Sequence, residues 1–127
     1  GWALKLATNL MLAHLMAGFA EAVLLTQGAG VEPAKLLEVL EGSTFRSPWY
    51  QTKGAGMLKR DFSPHFALKL MCKDLRLMQQ VAEELQLGLP VTDAVRRLFA
   101  EAEAAGKGEL DYSAIFAQLT GGAAHAS

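Results

Sequence analysis

The sequence predicts an all-α fold, a bundle of five or six helices built around a long N-terminal helix. Three observations carry this. Ala and Leu supply 42 of the 127 residues against six Val and one Ile, so helix formers far outnumber the β-branched residues that sheets favour. Apolar residues recur at steps of three and four along most of the chain. Gly28, Gly42 and Gly88 stand where such runs should stop, and Pro33 and Pro90 where new ones should start. The length suits one domain with a real core and is too short for two of ordinary size.

The first helix is expected over residues 3–26, with Gly28 and Gly30 as its stop. It is apolar on nearly all sides, which describes a helix buried in a bundle or between domains. Small residues four apart, at Ala3 and Ala7, Ala13 and Ala17, and Gly18 and Ala22, let another helix approach closely. A shorter helix follows over 33–42, burying Leu36, Leu37, Val39 and Leu40. Residues 43–64 are punctuated by Pro48, Gly54, Gly56 and Pro64, so one or two helical turns packed on the bundle are expected there, with loop elsewhere. A third long helix is expected over 65–87, with Leu68, Met71, Leu75, Met78, Ala82 and Leu85 as its stripe and Phe66, Leu70, Leu77 and Val81 widening it. A fourth runs from Pro90 through Val91, Val95, Leu98, Phe99 and Ala102 to Gly106. Asp111 is the N-cap of a last helix over 113–119, and 121–127 is expected to be a loose tail.

The charges exclude several functions. Twelve basic residues against 13 acidic ones leave no bulk field to draw the chain onto nucleic acid or an anionic membrane. Arg46, Lys53, Lys59 and Arg60 lie among aromatics, but without net positive charge or a groove-reading helix they read as surface, near cofactor phosphates at most. Lys5, Asn9, His14 and Glu21 interrupt the apolar start, so no membrane span is expected, and no signal peptide pattern is present. The single Cys72 excludes a disulfide framework and suits a reducing compartment, hence a cytoplasmic location; beside Lys73 its thiolate would be favoured, but mid-helix it reads as a small core residue. His14, His65 and His125 lack ligand spacing, so no metal is expected. An apolar helix entered directly after Gly1 has nothing before it to cover it, which implies a preceding domain.

Two polar pairs interrupt the apolar pattern. Lys5 and Asn9, four apart, lie about 40° from each other on a helix and point to one side. Spacing alone leaves two readings open: a snorkelling lysine with a backbone-bonded Asn, or a functional pair. Lys73 and Asp74 interrupt the third helix; Phe66 and Lys73, seven apart, would share a stripe. From the residues alone, a solvated edge with Lys69, Lys73 and Arg76 facing water is the favoured account.

Three blocks resemble a known family. The opening GWALKLATNLMLAHLMAGFAEAVLL is similar to the interdomain helix of the β-hydroxyacid dehydrogenases, the group of 3-hydroxyisobutyrate dehydrogenase and the glyoxylate and succinic semialdehyde reductases, through Lys5, Asn9 and Ala20-Glu21-Ala22. FALKLMCKDLRLM resembles the family's Lys-Asp-Leu segment, and LFAEAEAAGKGELDYSAIF its closing pattern of an aromatic residue, Ala, Gly-x-Gly, Asp and Ser-Ala. The resemblance implies a fold similar to the C-terminal domain of 6-phosphogluconate dehydrogenase, with residues 1–127 forming a single substrate and dimerisation domain. It also implies a cofactor-binding Rossmann half lying outside this chain. No Gly-x-Gly-x-x-Gly occurs: Gly28 and Gly30, Gly54 and Gly56, and Gly106 and Gly108 each stop at two glycines.

Residue by residue, the resemblance makes Lys5 the catalytic lysine, a general acid toward a carbonyl oxygen as hydride arrives and a base in reverse. A cation within hydrogen-bond reach stabilises an oxygen gaining charge, and apolar enclosure makes an ammonium a better acid. The first helix is expected to supply that enclosure. Asn9 would place substrate and lysine, Phe66 and Asp74 would line the substrate cleft, and Lys73 would reach the NAD or NADP cofactor. A small hydroxyacid or aldehyde acid is the implied substrate, a homodimer the implied assembly, and the chain by itself is expected to be inactive. Retention of Lys5 sets the sequence apart from the related imine reductases, and Trp2 is larger than the family pattern has at that place. The alternative is a helical interaction module descended from the same fold, without chemistry.

Overall fold

The computed structural model describes residues 1–121, so residues 122–127 of the expected tail, His125 among them, lie outside the described residues. Six α-helices follow in order: α1 Trp2–Gly28, α2 Pro33–Glu41, α3 Ala55–Leu58, α4 Leu68–Glu84, α5 Pro90–Ala102 and α6 Ile115–Thr120. Among the described residues there is no strand, and the one extended pairing is an isolated antiparallel bridge between Ala67 and Asp111. The all-α bundle expected from composition and periodicity is what forms.

α1 is the axis. It spans 27 residues, about 40 Å at 1.5 Å per residue, and packs against α2, α4, α5 and α6. By length and composition it is apolar enough to cross a membrane; in the fold it is the central helix of the bundle. Its Ala13, Met16, Ala17, Ala20 and Val23 follow the three-and-four step and are buried, together with Phe19. The small Ala side chains on that face let neighbouring helices come close. On its outer side the first three turns stand clear of the core, with Trp2, Leu4 and Met11 66%, 74% and 71% exposed, while Leu6, Leu10 and Leu12 pack on it and Asn9 bonds to Asp74 of α4. Phe62, Phe99, Met16, Met57, Leu68, Met71, Leu75 and Ile115 fill the interior, each contributing about 1.5–3 kcal/mol through burial.

Several boundaries and faces depart from the sequence pattern for local reasons. On α2, Leu40 is buried with Leu36 and Leu37 partly so, while Val39, expected inside, lies about 100° from the centre of that stripe and is exposed. α4 starts at Leu68 rather than at residue 65, because Ala67 is extended. The carbonyls of Leu110 and Gly108 accept the N–H groups of Leu68 and Lys69, supplying partners that a helix start lacks. At its other end Gln86, not Gly88, takes the left-handed turn, with the Leu87 N–H returning to the Ala82 carbonyl, and Leu85 is left exposed. α5 stops at Ala102; a π-turn over Glu103–Lys107 follows, in which Gly106 adopts φ +91°. Thr92 rather than Val91 takes the buried place on its first turn, where it hydrogen-bonds His14 at 2.8 Å.

Residues 43–64 form the expected short turns, a π-turn at Tyr50–Gly54 running into α3. Gly54 sits under an aromatic cluster: Phe19 meets Trp49 edge-on at 5.5 Å and Tyr50 at 5.7 Å. A Cβ at Gly54 would stand 2.9 Å from Phe19 Cζ, and neighbouring rings keep Phe19 from retreating. Gly54→Ala is therefore expected to cost about 1–3 kcal/mol. Gly56→Ala, with nothing within 4 Å, should be neutral or slightly stabilising. Urea midpoints of the two variants provide the measurement.

Candidate active site

Three separate segments build one cleft. α1 presents Lys5 and Asn9 on one side, α4 presents Asp74, and the bend before α4 presents Phe66. With Trp2, Leu6 and Leu77 these residues line an open cleft of about 370 Å³. The Asn9 Nδ2 donates to Asp74 Oδ2 at 2.9 Å across a separation of 65 residues. Asn9 is thus bonded to a neighbouring helix rather than to its own backbone. Its amide keeps a carbonyl oxygen and a second N–H for other partners.

Lys5 lines the cleft but is exposed and makes no ion pair among the described residues. The apolar enclosure expected from the first helix is therefore not supplied within this chain. The reason is that the first fully buried position of α1 is Ala13, two turns beyond Lys5. Lys73 is exposed and is not among the residues lining the cleft. Because Phe66 precedes the helix, the seven-residue stripe expected to join it to Lys73 does not exist. Lys69 and Arg76 face water as expected, and from there pair with Glu109 and Glu103 respectively.

A buried carboxylate behind the cleft was read in the sequence only as a cap. Asp111 does cap the last helical segment, accepting from the Ser113 N–H at 3.2 Å and its hydroxyl at 2.7 Å. It also accepts from Lys53 Nζ at 2.9 Å and from the N–H groups of His65 and Phe66 at 3.0 and 3.1 Å. Burial pushes its carboxyl up, but the hydrogen bonds from Lys53, Ser113, Phe66 and His65 outweigh this and hold it below the ordinary carboxylate range. Lys53, expected at the surface, is 18% exposed because this ion pair draws it in. Phe66 meets Tyr112 edge-on at 5.7 Å, and the Tyr112 hydroxyl accepts from Trp49 Nε1 at 2.9 Å. The Asp-x-Ser spacing signalled the cap; nothing local signalled the approach of residues 53, 65 and 66.

Cys72 is a core residue. It is buried, its Sγ donates to the Phe99 carbonyl at 3.3 Å, and burial followed by the charge of Glu103 pushes its thiol up to about 12. The neighbouring Lys73 does not activate it, because the side chains of adjacent helical positions diverge. Cys72 is expected to resist a disulfide reagent at pH 8 in the native state and to react stoichiometrically in 6 M guanidinium.

Residues 1–119 match the family model described as NAD-binding of NADP-dependent 3-hydroxyisobutyrate dehydrogenase. The chain belongs to the β-hydroxyacid dehydrogenase family. Glyoxylate/succinic semialdehyde reductase 2, chloroplastic, of Arabidopsis thaliana is 35% identical over 94% of this chain and 33% of its own length. A crystal structure of 3-hydroxyisobutyrate dehydrogenase from Salmonella typhimurium superposes with a TM-score of 0.84 at 27% identity, over 91% of this chain and 41% of that one. The cytokine-like nuclear factor N-PAC of Aedes aegypti is 35% identical over 89% of this chain and 20% of its own length. This family member thus spans about a third to two fifths of the two metabolic relatives. Relatives named for different functions match it at equal identity, so chemistry has to be argued from the cleft.

Proposed function

We propose that this chain is the helical substrate domain of an NAD(P)-dependent oxidoreductase that interconverts a small hydroxyacid and its oxo or semialdehyde form. The observation that carries this reading is the convergence of Lys5, Asn9, Phe66 and Asp74 on one cleft, with Asn9 and Asp74 joined by a hydrogen bond. In this reading the Lys5 ammonium gives a proton to the carbonyl oxygen of the substrate, and its amine takes one from the hydroxyl in reverse. Asp74 orients the Asn9 amide, and Asn9 offers its remaining N–H and oxygen to substrate. Phe66, Leu6, Leu77 and Trp2 keep the reacting carbons on an apolar wall.

The nicotinamide cofactor, when bound, supplies or accepts the hydride. Of this chain's residues, exposed Lys73 suits its ribose or phosphate oxygens. None of the glycine pairs lies between a strand and a helix among the described residues, and Gly54 is packed under Phe19, which supports the reading that a Rossmann domain outside this sequence supplies the pyrophosphate cradle. That domain would also complete the enclosure of Lys5. Exposed Trp2, Leu4 and Met11 suit burial against it or against a second copy in a homodimer. The cytoplasmic setting expected from the lone cysteine remains part of this proposal.

The isolated chain is expected to show no turnover of NADPH or NADH with succinic semialdehyde or glyoxylate, and the chain joined to a Rossmann domain to show it. Lys73→Ala in the joined protein should raise the cofactor KM severalfold and leave the substrate KM alone. Turnover by the isolated chain, or an unmoved cofactor KM, would refute these assignments. A second reading, a helical interaction module without chemistry, has the nuclear-factor relatives in its favour. It requires the joined protein to be inactive while still associating, which sedimentation at micromolar concentration measures.

A further inference from the structure

We infer that Asp111, which lies outside the cleft, is the positioning residue that holds Phe66 in place as the aromatic wall of the substrate site. The inference rests on the reading that the cleft receives substrate. Its two oxygens divide the work. Oδ2 accepts from Lys53, from the Ser113 N–H and from the Ser113 hydroxyl, and these contacts cap and anchor the C-terminal segment. Oδ1 accepts from the N–H groups of His65 and Phe66. Capping alone requires only the first set.

Phe66 needs this external hold because it belongs to no helix or strand; α4 starts two residues later, at Leu68. Both of its backbone polar groups are taken by consecutive residues of the C-terminal segment. Its N–H goes to Asp111 at 3.1 Å, and its carbonyl accepts from the Tyr112 N–H at 2.8 Å. The ring then rests edge-on against Tyr112, whose hydroxyl is fixed by Trp49. Residues 45 positions apart in sequence thereby set where an aromatic edge meets the cleft. Site groups need to be held within about 0.5 Å by such supporting contacts, or catalytic efficiency falls.

In the complete enzyme, Asp111→Ala is expected to lower kcat/KM for succinic semialdehyde about tenfold, mainly through KM, with the cofactor KM unchanged. Phe66→Ala should show the same loss, and the double variant no further loss, because one residue acts through the other. Phe99→Leu, a core change on α5 that removes no hydrogen bond to Asp111, should lower stability and leave both KM values alone. The inference is overturned if Asp111→Ala stays within twofold of wild type, if its loss multiplies with that of Phe66→Ala, or if Phe99→Leu reproduces it. An unaltered Phe66→Ala enzyme would instead sink the underlying reading of the cleft. Should Asp111→Ala fail to fold, native-state hydrogen exchange of the unaltered protein decides. The His65 and Phe66 amides must be protected like those of the α4 interior, and exchange at free-loop rates overturns the inference.

Discussion

Lys5→Met in the complete enzyme is expected to reduce kcat by about a thousandfold, roughly 4 kcal/mol of barrier, within the range a positioned general acid supplies. Met keeps the length and apolar stem of the side chain and removes only the proton donor. Cofactor affinity should stay within twofold, because in the proposed mechanism the lysine meets the substrate oxygen and not the nucleotide. Stability should be unchanged: Lys5 is exposed, has no ion pair among the described residues, and sits where α1 stands clear of the core. That separation makes the experiment sharp, since a fall in turnover cannot come from unfolding. Steady-state kinetics with a parallel melting curve is the measurement, and a kcat within tenfold of wild type would remove Lys5 from the chemistry.

Asp111→Ala is expected to destabilise the fold by about 3 kcal/mol, the lower end of the cost of stripping one partner from a buried ion pair. The lower end applies because Lys53 is 18% exposed and regains some water. The His65, Phe66 and Ser113 amides lose their acceptor at the same time. The pH dependence has a definite sign. The native carboxyl is held below its ordinary value, so the folded state binds fewer protons than the unfolded one as the medium is acidified. Its contribution is complete above the unfolded value of about 3.9 and drains away as pH falls through the native value. Lys53, His65 and Asp61 lie near it in both proteins, so the difference between wild type and variant isolates Asp111. Urea unfolding between pH 7 and pH 2 should show a gap of about 3 kcal/mol that closes toward the acid end. A gap independent of pH would show that the carboxylate charge does not supply the stabilisation.

How much of the site was legible follows from what each residue depends on. Lys5 and Asn9 share a face because they are one turn apart on one helix, and spacing alone shows that. The pairing of Asn9 with Asp74 depends on α1 and α4 lying side by side, which no spacing within either helix encodes. Phe66 is marked only by the family resemblance, and the structure gives it a different local setting: a bend before α4 rather than a helical stripe. Lys53 and Asp111 went unread as a pair because 58 residues separate them, and a basic residue in a basic stretch looks like surface.

By itself the sequence determined the helices, most of their buried faces, the helix starts at Pro33 and Pro90, the cap at Asp111, and the family. Each rests on local periodicity, on a single residue's backbone preference or on short motifs. Only the tertiary structure decided where α4 begins, that Asp111 bonds the amides of His65 and Phe66, and that Lys5 stands exposed at the rim of a cleft. Those outcomes depend on which distant donors and acceptors the folded chain brings within 3 Å of one another. A hydrogen bond of that kind has no signature until both segments are in place.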